Sequence, residues 1–367
     1  MNKVRTAFFV LLKAGLWGTV SGDDCALRLT GEEWKELYRL AGKQTVTGIV
    51  FDGMTVMPEA CLPPLPLLMK WTAEVDRVER TNRQMNKVTG ELSRLFAEQG
   101  IVAVLLKGQG VAACYQVPLH RVCGDVDWCF PAGEDWEKAA ELIKHQGVET
   151  AWQPGFSMEY QWNGCVIEHH KRVLDVHNPF LHRYVRRLLN REASHGGELV
   201  IGGGRVNLLS PLLVHLSVNM HILKHMLAVG IGIRQLCDVA CIYRYYNKET
   251  DGAELKRIYH KLGVFRWIQV LDAVLVKYLG VPEEVLPFPL EGDEQAEWMM
   301  EDILRAGNFG FYDERFSAGT EEGKGRRKKV AWQILRRFGM NVCYAPAEAC
   351  WFPVVQACSH IRFLKKT

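Results

Sequence analysis

The sequence predicts an α+β fold in which a small mixed sheet is set between an N-terminal and a C-terminal helical segment. Three observations predict it. Apolar residues recur three and four apart before residue 98 and again after residue 206, the pattern changes at Ile101 to short uninterrupted apolar runs, and an Asn163-Gly164 pair sits between alternating segments. These changes divide the chain into a helical segment over 1–98, a mixed core over 99–205 and a helical domain over 206–367.

The opening, MNKVRTAFFVLLKAGLWG, has a basic start and an apolar run, the outline of a secretory signal. Lys13 interrupts that run and no small-residue cleavage site follows, whereas Phe8, Leu11, Leu12 and Leu16 repeat at helical spacing. An amphipathic helix is therefore expected. Helices are expected over Glu32 to Leu40 and Leu68 to Phe96, on either side of the breaker region Pro58 to Pro66. IVAVLL from Ile101 reads as a strand, Lys107-Gly108-Gln109-Gly110 as a turn, and VAACY as a helix. GDVDWCF alternates, so it reads as a strand with Asp125 and Asp127 on one face and Val126 and Trp128 on the other. Trp136 to His145 is helical and stops at Gly147. Phe156 to Trp162 and Cys165 to Val173 pair through Asn163-Gly164, whose two positions tolerate positive φ. From Pro211 helical periodicity persists through Tyr246, Glu254 to Leu262 and Val264 to Leu279.

With 48% hydrophobic residues, a chain of this length buries a large core without disulfides. Its 11 cysteines are irregularly spaced with no CxxC pair, which reads as reduced thiols in a cytoplasmic protein. The net charge of +3 gives no dedicated nucleic-acid coat and no polybasic membrane surface. No apolar stretch reaches the roughly 18 to 20 residues of a spanning helix. The best stretch, Leu208 to Val229, carries His215, His221, Lys224 and His225 and reads as a buried bundle helix. The basic run GKGRRKK at 323–329 has no interleaved aromatics and reads as a solvated loop.

Two acids on one face of a strand, one residue apart, are what a protein needs to bind divalent cations. Asp125 and Asp127 meet that requirement. Glu168 on the second hairpin strand would complete the cluster, with Asp175 as its rival. His170 shares the face of Glu168, as a neighbour of the cluster or a phosphate contact, and His169 points the other way. The turn at Lys107-Gly108 would present backbone N–H groups and an ammonium to a triphosphate. A magnesium or manganese ion there would polarise phosphate oxygens for in-line displacement. A DxD alone is most often a solvated turn, and it also fits a glycosyltransferase that holds a sugar nucleotide; it is the order of strand, turn, helix, acidic strand and acid-bearing hairpin that points to nucleotidyl transfer. His221 and His225 are one helical turn apart without the acid of an HExxH pattern, so core histidines are expected. Arg234 and Asp238, also one turn apart, fit either an ion pair that fixes a helix or an arginine that reaches the site.

With these residues in hand, LLKGQGVAACYQVPLHRVCGDVDWCF resembles the bacterial family of uncharacterised nucleotidyltransferases within the DNA polymerase β-like superfamily. VIEHHKRV, GIGIRQLCDVACIY, LGVPEEVLP and LRAGNFG extend the resemblance over most of the chain. It implies the superfamily's mixed sheet with helices, an NTP substrate, and Asp125, Asp127 and Glu168 as metal carboxylates. It implies Lys107, Gly108 and Gln109 as the nucleotide-binding turn and Arg121 as the arginine before the acidic strand. Gln109 stands where the superfamily usually has Gly or Ser, which keeps open a nucleotide-binding or partner-binding module without turnover. The resemblance names no acceptor.

Overall fold

The computed structural model describes residues 2–19, 28–153, 157–291, 296–313, 315 and 334–364, except for the side chains of 360–364. The basic run at 323–329 lies outside the described residues.

The expected first helix forms as α1 (Lys3–Trp17), capped by the Asn2 side chain, and buries Phe8, Leu11, Leu12 and Leu16. A capping box between Thr30 and Glu33 starts α2 (Gly31–Lys43), and α3 (Thr47–Thr55) then crosses α1. A Cβ on Gly15 would stand 1.8 Å from the Ile49 carbonyl oxygen, and one on Gly53 would stand 1.9 Å from that of Leu11. These helices therefore touch backbone to backbone, which only glycine allows at the crossing. The proline region ends at Pro64, and α4 (Leu65–Glu98) follows as one helix of 34 residues, about 50 Å at 1.5 Å per residue.

A seven-stranded sheet follows in the order β3-β4-β5-β2-β1-β7-β6. Its elements along the chain are β1 (Val104–Leu106), α5 (Gly108–Ala112), β2 (Asp125–Cys129), α6 (Gly133–His145), β3 (Thr150–Gln153), β4 (Ser157–Trp162), β5 (Cys165–His170), α7 (His182–Glu192), β6 (Glu198–Ile201) and β7 (Gly204–Leu208). The central strand β2 is antiparallel to β1 and parallel to β5, and β7 is parallel to β1. The β4–β5 hairpin turns at Asn163 (φ 48) and Gly164 (φ 79), as the sequence predicts. Its second strand leaves the sheet after His170, short of the expected Val173, and Phe156 lies outside the described residues. The helix after the Lys107-Gly108 turn stops at Ala112 rather than running on to Tyr115.

One face of the sheet presents Leu105, Val126, Trp128, Ile167 and Val206 to the second half of α4 (Met85, Val88, Leu92, Phe96) and to Trp136, Ala139 and Ile143 of α6. The C-terminal helices are α8 (Pro211–Ala228), α9 (Ile233–Tyr245), α10 (Gly252–Leu262), α11 (Phe265–Leu279), α12 (Glu297–Ala306), α13 (334–341) and α14 (Pro346–Leu364). Both helical ends of the chain share one core, in which Phe8, Leu37, Val50 and Trp71 join Leu216, Leu236, Leu271 and Phe352. Among the described residues no helix is long and apolar enough to cross a membrane.

Four C-terminal helices are tied by a buried polar chain. Asn219 of α8 donates to the hydroxyls of Tyr243 (3.3 Å) and Tyr259 (2.7 Å), and Tyr243 donates to Asp272 Oδ1 of α11 at 2.9 Å. The Asp272 Oδ2 atom has no partner among the described residues, and burial pushes the carboxyl up to about 8 even though the Tyr243 bond acts to lower it. The folded state thus keeps a proton that the unfolded chain releases above about pH 4. Stability is full below that pH and is lost as pH rises toward 8, by at most about 1.4 kcal/mol per pH unit. Asp272→Asn, neutral at all these values, is expected to flatten that decline. Urea midpoints at pH 5 and pH 8 for both proteins check it, and equal slopes would refute it.

Candidate active site

The acidic face of β2 is opposite the α4–α6 layer. Strand alternation puts Val126 and Trp128 into the core and leaves Asp125 and Asp127 on the other side. The β2–β5 register sets Asp127 directly beside Glu168 and Cys129 beside His170, so all three polar groups share one face. His169, one residue out of phase, is buried between Phe96, Phe130 and Tyr160. Ligand atoms of Asp127, Glu168 and His170 all lie within 4.8 Å of one another, a set among the described residues that could hold a metal ion. His170 Nε2 is 2.5 Å from Asp127 Oδ1 and 3.2 Å from Glu168 Oε2.

Lys107 reaches the same cluster from the end of β1, its Nζ 3.5 Å from Asp127 Oδ2. It holds φ at 36, sparsely populated backbone for a residue with a side chain, and Gly108 follows at φ 41 with room for a Cβ only 3.3 Å from the Asp125 carbonyl oxygen. With only five residues, α5 offers little dipole to a phosphate, so the charge at this turn comes from the Lys107 ammonium.

The charges are strongly coupled. Asp125 is pushed up to about 6, chiefly by the neighbouring charge of Asp127 and then by burial. Burial alone would raise Asp127 too, but Lys107 and His170 hold it well below the usual carboxylate range. Burial works against the charge on His170, yet its bonds to Asp127 and Glu168 win and push it up to about 9. Burial likewise disfavours the charged Lys107, and the carboxylates of Asp127, Asp175, Asp125 and Glu168 more than offset it. Asp127 and Glu168 with the His170 imidazole form a donor set of two acids and one nitrogen that could hold a divalent cation; Asp125 lines the same cleft but is not one of that close group.

These groups line a cleft of about 830 Å³, large enough for a nucleotide. Asp175, the rival third acid, also lines it but is held by His221 Nδ1 (3.0 Å) and Lys224 Nζ (3.1 Å). His225 Nε2 contacts His221 Nε2 at 3.0 Å, and burial keeps both imidazoles below their ordinary pKa. Neither belongs to the close group of ligand atoms. Arg234 lines the cleft and also sits 3.5 Å from Asp238, so it fits both of its sequence readings.

Two residues of the expected nucleotide-binding set have other partners. The Gln109 amide turns away from the cleft and donates to Asn82 (3.3 Å) and Asn86 (3.1 Å) of α4. The Arg121 guanidinium is 3% exposed, grips Asp238 of α9 through two bonds of 2.6 and 2.8 Å, and donates a third to Cys123 Sγ. It ties the loop before β2 to the C-terminal helices. Lys171, Arg172, Phe311, Gln356 and Ser359 line the cleft without having been singled out in the sequence. The last three come from segments whose approach is purely tertiary, while the alternating ELVI and RVNL around Gly202-Gly203 were a local signal for the β6–β7 hairpin.

No curated protein matches the chain. Among solved structures, it is similar to an antigenic nucleotidyltransferase-like protein from Paracoccidioides brasiliensis, with 16% identity and a TM-score of 0.33 over 54% of this chain and 93% of that one, a likeness too low to bear on the site. A model of the uncharacterised nucleotidyltransferases matches residues 30–279, which run from the start of α2 to the end of α11 and include the whole carboxylate cluster. The chain belongs to that family of uncharacterised nucleotidyltransferases.

Proposed function

We propose that this protein transfers a nucleotidyl group from an NTP to an acceptor, using Mg2+ or Mn2+ held by Asp125, Asp127 and Glu168. The observation that carries the reading is the register of β2 and β5, which aligns Asp127 with Glu168 on the face that Asp125 shares, beside Lys107. A divalent cation in such a cluster supplies charge stabilisation for in-line displacement at phosphorus. Lys107 and Gly108 receive the triphosphate, the ammonium as a point charge and the glycine by keeping the backbone open. His170 bonds Asp127 and Glu168 and so fixes their orientation, the part usually played by groups around a metal's own ligands. Arg121 is a positioning residue that holds the loop before β2, and Arg234 lines the path to it. The 99–205 core carries the chemistry, and the helices after 206 close the cleft over it. Ten described cysteines are free thiols, which fits a reducing, cytoplasmic setting.

The test is labelling. Purified protein is incubated with each NTP labelled at the α-phosphate, a divalent metal and fractionated extract as the source of acceptor. Metal-dependent transfer of label by the wild type is expected. Nucleotide binding without any labelled product, across all four NTPs, would replace the reading with that of a non-catalytic nucleotide-binding module.

A further inference from the structure

A second cavity of about 390 Å³ lies on the same face of the sheet, further along β2, where Cys129 and Phe130 follow the acidic pair. Its walls are apolar: Val104 of β1, Val185 and Leu189 of α7, Leu209 and Leu213 at the start of α8. That volume is at the small end for ligand pockets and suits a compact molecule rather than a polymer. Its rim is cationic. Lys171, Arg172 and Arg186 line it, and among the described residues neither Arg172 nor Arg186 has a carboxylate partner, while Lys171 lies over the Trp136 ring. Its acid, Glu192, is already engaged by Ser210 Oγ at 2.9 Å and Arg191 Nε at 3.0 Å, so it offers no countercharge to those arginines.

An apolar chamber with unpaired guanidinium groups at its mouth matches a ligand with an apolar body and one anionic head. We propose that this cavity is a binding site for a small amphiphilic anion whose carboxylate or phosphate head is held by Arg172 and Arg186. Lys171 and Arg172 also line the larger cleft, so the head sits between the two chambers.

Calorimetric titration of the full chain without nucleotide or metal tests this apart from any transfer activity. The probes are decanoate and decyl phosphate, each below its micellar range, decanol within its solubility, and inorganic phosphate. One of the two amphiphilic anions is expected to bind one to one, and their ratio tells which head group the site takes. Decanol and inorganic phosphate should bind at least about tenfold more weakly, the loss expected for removing a charged hydrogen-bond partner or the apolar body. Leu189→Trp, which fills the chamber, and the rim variant Arg172→Ala with Arg186→Ala should each weaken binding by at least about tenfold. The rim variant changes exposed side chains only, so it decides the matter even where the tryptophan disturbs folding. No binding by either anion, equal binding of decanol, or unchanged affinity in the rim variant would overturn the proposal.

Discussion

Asp127→Asn is expected to lower nucleotidyl transfer by at least about 100-fold, the upper end of what is lost when only a group around the metal's own ligands is removed. The substitution keeps the shape of the side chain and an acceptor for His170, and it relieves the repulsion that pushes Asp125 up to about 6. The fold should therefore survive, and transfer assays paired with thermal midpoints separate the two effects. A folded Asp127→Asn protein with full turnover would remove the metal carboxylates from the mechanism. Asp125→Asn is expected to behave in the same way, because the residue shares the face and lines the same cleft.

Arg121→Ala is expected to cost about 3 to 5 kcal/mol of stability, because it strands a buried carboxylate. Asp238 is 5% exposed and takes two of its bonds from Arg121. Burial would raise its pKa, and the Arg121 charge brings it below its usual value. Tyr115 at 2.7 Å and Arg234 at 3.5 Å would remain as its partners, too few to replace a bidentate fork. Arg121→Lys keeps the charge without the fork and should fall between the two. Urea unfolding with an unchanged slope and a shifted midpoint would show the loss; a midpoint equal to that of wild type would mean that the pair contributes little.

How much of this was legible in the sequence depended on whether the signal was local. The hairpin at Asn163-Gly164 and the alternation of Asp125 and Asp127 follow from turn chemistry and period two, and both appear in the structure. That Glu168 and His170 share one face of their strand needed only the parity of the second hairpin strand. The pairing of β2 with β5, which sets Asp127 beside Glu168, is a non-local choice that periodicity does not contain. The same holds for Arg121, whose partner is 117 residues away, and for Gln109, whose amide found α4. A glycine turn is readable from its letters; the direction of the glutamine beside it is decided by packing. The β6–β7 hairpin carries its own local signal in Gly202-Gly203, set between two alternating segments.

The most direct measurement is the thermal midpoint of the wild type and of Asp125→Asn with each of the four NTPs, with and without magnesium or manganese. A ligand present at 100 times its dissociation constant adds about 2.7 kcal/mol to a single folded site, enough to read as a shift. Stabilisation by at least one NTP that needs the metal and disappears in Asp125→Asn is the predicted result. Stabilisation that ignores the metal or survives in the variant, or none with any NTP, would contradict a nucleotide site built on the carboxylate cluster.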